Sequence, residues 1–303
     1  MQSLSPNLRG IIFMVLATAS FVCNDTLMKL ATEGLMPFQT LFLRGVSACL
    51  WLLPMVIFTG NGSKMVQGAH WIVLLRNSFE TVAVLCFIVA LANLPLADIT
   101  AINQTSPMLL LLGVAVLFGD RIGWMRIVLI IVGFAGALLV AQPTMSGISP
   151  YALLGFSCAI LTAGRDIVGR KVPAHIPALV VAYWTCITVL VGAGAATFLF
   201  EPWQPVTMRH VLLLGGSGFF LTFGHLFIFM SYRSGATGVV APFYYMFAVW
   251  AVISGLLVFH QLPNTLAMIG IGLILLSGVV VALLDERKRR LTPIAEARMS
   301  PEP

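Results

Sequence analysis

Apolar residues run along the chain in long unbroken stretches, not in the alternating or one-sided patterns of soluble elements. A helix needs about 20 mainly apolar residues to cross the roughly 30 Å hydrocarbon core of a bilayer. Ten stretches approach that length: residues 10–30, 38–58, 71–91, 97–118, 124–141, 150–170, 178–200, 210–231, 236–259 and 264–284. The breaks between them are short and hold the turn formers: Pro37, Gly60-Asn61-Gly62, Pro95, Gly123, Pro143 to Pro150, Pro173 to Pro177, Pro202 to Pro205 and Pro263-Asn264. None is long enough to fold as a soluble domain. The runs are about twice the length of a barrel strand and do not alternate, which excludes a transmembrane barrel. The pattern predicts an all-α integral membrane protein with ten transmembrane helices. Residues 285–303 are polar and are expected to form a disordered cytoplasmic tail.

Composition agrees. Hydrophobic residues make up 59% of the 303 and charged residues 9%, where a soluble domain carries about 25% charged residues. So few charges could not cover a soluble surface. The net charge of +6 raises the question of nucleic acid, which the placement of the cations answers. With the N-terminus inside, the cytoplasmic side holds Arg9, Lys64, Arg121, Arg126, Arg170, Lys171, Arg233, Arg287, Lys288, Arg289, Arg290 and Arg298. That is twelve cations against two outside, Lys29 and Arg209, an asymmetry that orients the chain with both termini cytoplasmic. Arg287 to Arg290 then reads as an anchor to anionic lipid, and no nucleic acid is implied. Ala17-Thr18-Ala19 resembles a signal-peptide cleavage site, but polar residues follow at once and the span has a counterpart later in the chain. The five cysteines, Cys23, Cys49, Cys86, Cys158 and Cys186, lie in apolar runs without metal or redox spacing. No metal or other cofactor is expected.

The two halves echo each other at a separation of about 140 residues. "NDTLMK" from Asn24 aligns with "RDIVGR" from Arg165, setting Asp25 on Asp166 and Lys29 on Arg170. The stretch from Phe87 aligns with that from Phe227, and the Gly119-Asp120 loop with His260-Gln261. Five spans is an odd number, so the second copy would enter the membrane upside down. Inverted repeats are a mark of secondary transporters, which bind substrate near the midplane between the halves. The expected organisation is a first repeat over 10–141, a second over 150–284 and the tail.

These features resemble the drug/metabolite transporter superfamily, in its ten-span EamA-domain branch. The resemblance covers the chain from about Gly10 to Leu284 and rests on the two repeats and on Leu74 to Val140. That run has a helix ending in Ala90-Leu91, a short loop, Pro107 in mid-helix and an acidic loop, and Ala241 to Pro263 echoes it. Where the family often has Glu in the second loop, this chain has Gln261. The resemblance implies alternating-access transport of a small organic solute. Substrates across the superfamily include amino acids, riboflavin, metallophores and S-adenosylmethionine.

A charge at mid-bilayer costs about 2.5–3.5 kcal/mol on insertion scales and usually faces a cavity or a partner. Arg76 and Glu80 are spaced i,i+4 and are expected to pair. Glu80, near mid-membrane, is the proton-coupling candidate unless Arg76 locks it. Asp25 and Arg44 lie at similar depths on neighbouring spans and could meet. Arg165-Asp166, near an interface, is read as a structural pair. Asn103-Gln104 precedes Pro107, which would free backbone carbonyls to face a cavity. Phe243, Tyr244 and Tyr245 follow Pro242 too deep for an interfacial belt and could stack on a planar substrate. His225 reads as a helix–helix hydrogen bond, and Gly215 to Gly218, Gly155/Ala159 and Gly192/Ala196 as close-packing faces. No catalytic or phosphate-binding signature is present, so the chain is not expected to be an enzyme.

The charges inside the spans nearly balance, with Arg44, Arg76 and Arg165 against Asp25, Glu80 and Asp166. A neutral or zwitterionic planar heteroaromatic solute is therefore expected, bound by Asn103, Gln104, Phe243, Tyr244 and Tyr245. The cavity would be lined by the first, third, fourth, sixth, eighth and ninth spans. Riboflavin comes first, an S-adenosylmethionine carrier second, an amino-acid or metabolite exporter third, and a non-transporting membrane scaffold is the rival class. The expected setting is a bacterial inner membrane, with lipid and a small-molecule substrate as partners and a homodimer left open.

Overall fold

The computed structural model describes residues 5–118, 124–142, 148–235 and 237–299. The acidic loop at Gly119-Asp120, Arg121, Gly123 and Pro143 lie outside the described residues. Everything regular among them is helical. In chain order the helices are α1 (Pro6–Ala31), α2 (Pro37–Phe58), α3 (Trp71–Asn93), α4 (Leu96–Asn103), α5 (Ser106–Phe118), α6 (Trp124–Ala141), α7 (Pro150–Gly169), α8 (Ala178–Phe200), α9 (Met208–Ser234), α10 (Thr237–Val240), α11 (Met246–Phe259) and α12 (Thr265–Met299). Short 3-10 turns cover Gly62–Ala69 and Ala241–Tyr245. Seven helices among the described residues are long and apolar enough to cross a membrane, with Ile127–Ala141 and Thr265–Val281 as shorter apolar helices. The tail departs from expectation. α12 continues through it to Met299, because Glu286 to Arg290 are good helix formers that need no apolar face to extend a helix already nucleated.

Two apolar stretches are broken, and proline explains both. The ring of Pro107 clashes with the carbonyl four residues earlier, that of Asn103, where α4 ends. The neighbouring carbonyl of Ile102 accepts from Thr105 Oγ1 at 2.7 Å. Pro242 likewise converts the ninth stretch into α10, a 3-10 turn and α11.

Helix packing relies on small residues. α6 crosses α12 where Gly136 faces Gly270; a Cβ on Gly136 would lie 2.7 Å from Gly270 O. Such backbone contact favours helix association in lipid, where no hydrophobic effect drives it. Gly155 admits Ile99, and Gly218 lets α9 approach the backbone of Ala48. α1 packs mainly on α9, α3 on α7 and α2 on α8.

At one end, hydrogen bonds tie loop to helix. Glu201 accepts from Phe38 N and Gln39 N at 3.0 Å each, capping α2. Gln39 exchanges two bonds with the Gln204 backbone, at 2.8 and 2.9 Å. Lys29 donates to Leu91 O at 2.7 Å, satisfying a terminal carbonyl of α3.

Candidate functional site

Three of the charges meet. Arg165 of α7 donates through Nη1 to Glu80 Oε2 of α3 at 2.6 Å. Its Nε and Nη2 each lie 2.8 Å from Asp166 Oδ1. Arg165 thus binds two carboxylates and joins the halves of the chain.

The expected pair of Arg76 with Glu80 does not form. Arg76 Nη1 donates to Asn77 Oδ1 and to Thr185 Oγ1 of α8, both at 2.9 Å. An i,i+4 ion pair contributes only about 0.2–0.5 kcal/mol. The charge-assisted bonds to Asn77 on the same helix and to Thr185 on α8, roughly twice as strong as neutral ones, override it.

Asp25 and Arg44 do not pair either. Asp25 Oδ1 accepts from Asn24 Nδ2 at 2.8 Å, and Asn24 Oδ1 accepts from Ser217 Oγ at 2.7 Å. This network ties α1 to α9, as the small-residue reading of Gly215 to Gly218 required. Arg44 is 7% exposed, and its Nε is buried without a hydrogen-bond partner. Among the described residues no hydrogen bond or ion pair reaches it.

Arg44 and Glu80 share a cavity of about 60 Å³ whose other walls include Thr185, Cys186, Leu221 and His225. At 1.5 Å per residue, Glu80 lies about 14 Å into α3 and Thr185 about 10 Å into α8. The cavity is therefore deep within the bundle. His225 does not bridge helices. Its Nδ1 lies 2.8 Å from Leu221 O of its own helix, and its ring stands edge-on to Phe21 with centroids 5.2 Å apart. Two larger grooves, of about 480 and 380 Å³, are lined by outward-facing apolar side chains such as Leu50, Val211 and Leu257. They carry no fixed charge and are surfaces that acyl chains would cover.

The other expected ligands lie elsewhere. Asn103 Oδ1 accepts from Cys158 Sγ at 3.5 Å. Gln104 is buried at the α4–α5 break, its Nε2 without a hydrogen-bond partner. Tyr245 is 6% exposed and its ring fills the slot left by Gly278 of α12, so it is committed to packing. Tyr244 tilts against Phe247 with centroids 6.3 Å apart, and Phe243 is half-buried. None of these five lines the cavity with Glu80. The second, third, seventh and eighth apolar stretches line it, of which the third and eighth are among the six expected. Sequence reasoning missed Thr185 and Cys186; the usable signal was Thr185's depth, close to that of Glu80.

Comparison with known proteins now bears on this geometry. The EamA-like transporter family matches the chain twice, over residues 8–142 and 149–283. The chain belongs to that family. The chain is 26% identical to the pseudopaline exporter CntI of Pseudomonas aeruginosa, over 90% of this chain and 95% of the relative. It is 23% identical to the S-adenosylmethionine uptake transporter of Rickettsia prowazekii, over 95% of this chain and 96% of the relative. One crystal structure matches with a TM-score of 0.62 and 20% identity, over 93% of this chain and 98% of that one, which extends the likeness of fold to nearly the whole chain. This EamA-family protein is thus a multi-pass membrane transporter of the drug/metabolite transporter superfamily, and not an enzyme.

Proposed function

We propose that the protein is a ten-span secondary transporter moving a small zwitterionic metabolite across a bacterial inner membrane by alternating access, with both termini cytoplasmic. The seven long helices, the shorter α6 and α12 and the broken α4–α5 pair make ten crossings. Residues 10–141 and 150–284 form two inverted five-span repeats. Helix packing supports this reading. Exchanging each span for the one five places away turns α1 on α9 into α7 on α3, and α2 on α9 into α8 on α3. It turns α5 on α7 into α11 on α1, while α2 on α8 and α6 on α12 map onto themselves. A pseudo-two-fold axis in the membrane plane produces such a pattern.

The observation that carries the proposal is the polar cavity walled by both repeats, Arg44 and Glu80 from the first and Thr185, Cys186 and His225 from the second. Rocking one repeat against the other would open it. At about 60 Å³ it holds a few waters, so a metabolite enters only when the repeats part. The near balance of intramembrane charge favours a zwitterion over a polyanion. Riboflavin, first among the sequence expectations, has no carboxylate for Arg44, and neither relative is named for it. S-adenosylmethionine joins an amino-acid zwitterion to a planar adenine and takes first place. Purified protein in liposomes, given radiolabelled S-adenosylmethionine, riboflavin and single amino acids with and without a proton gradient, tests this. Zwitterion flux above that of empty liposomes is expected. Flux of riboflavin alone would overturn the substrate class, and no flux of any solute through correctly inserted protein would favour a membrane scaffold.

A further inference from the structure

We infer that the cavity between the repeats is a head-group subsite, in which Arg44 takes the carboxylate of a zwitterionic solute and Glu80 its ammonium. The inference deepens the transport reading and rests on it.

Arg44 carries the argument. A buried guanidinium without a counter-ion is strongly destabilising, because the desolvation of the charge goes uncompensated. Arg165 avoids this penalty through Glu80 and Asp166, and Arg76, without a counter-ion, offsets part of it by donating to Asn77 and Thr185. Arg44 is more deeply buried than either, yet its Nε has no partner and, among the described residues, no carboxylate lies within ion-pair distance. Its side chain borders the cavity, so the missing partner can arrive there. A planar guanidinium meets a carboxylate through two parallel bonds, which makes that anion the natural occupant.

Glu80 supplies the second half. Arg165 occupies its Oε2, while Oε1 receives no hydrogen bond from a described residue. Arg44 and Glu80 therefore face one space with opposite charge and without meeting each other. That arrangement complements a carboxylate and an ammonium one carbon apart. Thr185 and His225 line the same cavity from the other repeat. The cavity takes the head group alone, and the rest of the solute requires the repeats to part.

The test pairs each zwitterion with its decarboxylated form: S-adenosylmethionine with decarboxylated S-adenosylmethionine, and L-tryptophan with tryptamine. Equilibrium binding and thermal unfolding are measured on the full chain in detergent. Wild type is expected to bind at least one acid about tenfold or more tighter than its amine, and Arg44→Gln to erase that difference. Because Arg44 holds no other side chain, Arg44→Gln should melt at or above the wild-type temperature, and Arg44→Lys should keep part of the preference. Glu80→Gln should remove the preference for L-tryptophan over N-acetyl-tryptophan. Equal binding of acid and amine by wild type overturns the inference, as does an Arg44→Gln protein that keeps the preference. If none of the probes binds wild type, the subsite is wrong, while riboflavin flux in liposomes would leave the transporter standing. Carboxylate-dependent binding without flux would uphold the subsite and sink transport.

Discussion

Arg44 borders the cavity that Glu80 also lines, and Arg165 holds Glu80 from α7; the two arginines differ in whether they are paired. Arg165 is saturated, with Glu80 at 2.6 Å and Asp166 at 2.8 Å. Arg44, more deeply buried at 7% exposure, touches neither a carboxylate nor a hydrogen-bond acceptor. Charge alone therefore does not mark a functional residue in this protein. The paired arginine joins helices, whereas the unpaired one is the residue to which the proposed subsite assigns a ligand.

The largest expected effect lies on the saturated side. Arg165→Met removes the cation between α3 and α7 and leaves the part-buried Glu80 without its ion-pair partner. Breaking one partner of a buried pair typically costs about 3–5 kcal/mol. Denaturant or thermal unfolding in detergent should show a loss of that size. The double variant Arg165→Met/Glu80→Leu should recover much of it, since no lone charge remains. A stable Arg165→Met protein would break the contrast with Arg44.

The seven long apolar helices and the shorter ones were legible in the sequence because hydropathy is a property of each segment and needs no partner. The break at Asn103 was not, since 97–118 reads as one span, although its cause is local: Pro107 acts on its own helix four residues back. The partner of Glu80 was not legible either. Which face of α3 meets α7 is settled by packing between residues 85 apart in the chain, and local spacing pointed instead to Arg76. The aromatic run after Pro242 failed in the same way. The slot that takes Tyr245 is made by Gly278, on another helix. Composition also misread the tail, where polar residues suggested disorder and α12 runs on to Met299.

An intermediate effect is expected at Arg76, which hydrogen-bonds neutral groups and forms no ion pair. Arg76→Met deletes two bonds to Asn77 and Thr185. Hydrogen bonds to charged groups contribute about 1.5–3 kcal/mol. Thr185 Oγ1 and Asn77 Oδ1 remain 2.9 Å apart and can bond each other, so no new unsatisfied group appears. A loss near the lower end, about 1.5 kcal/mol, should separate Arg76 from both neighbours in an unfolding measurement. A loss matching that of Arg165→Met would mean that Arg76 supports Glu80 electrostatically despite the absent ion pair.

The smallest effect belongs to Arg209, whose Nη2 lies 3.3 Å from Glu33 Oε2 with side chains 63% and 54% exposed. By distance it is a salt bridge like that of Arg165, and if pairing decided stability the two would rank together. Water and counter-ions screen an exposed pair, and holding two long side chains in place opposes the gain, so such pairs contribute about 0–1 kcal/mol. Arg209→Ala should shift the melting temperature little, and the shift should shrink further as salt is raised from low to about 0.5 M. A salt-insensitive loss above about 1 kcal/mol would show that this contact pins the loop ends together. The order Arg165, Arg76, Arg209 would then no longer follow burial, and burial is what makes the empty surroundings of Arg44 informative.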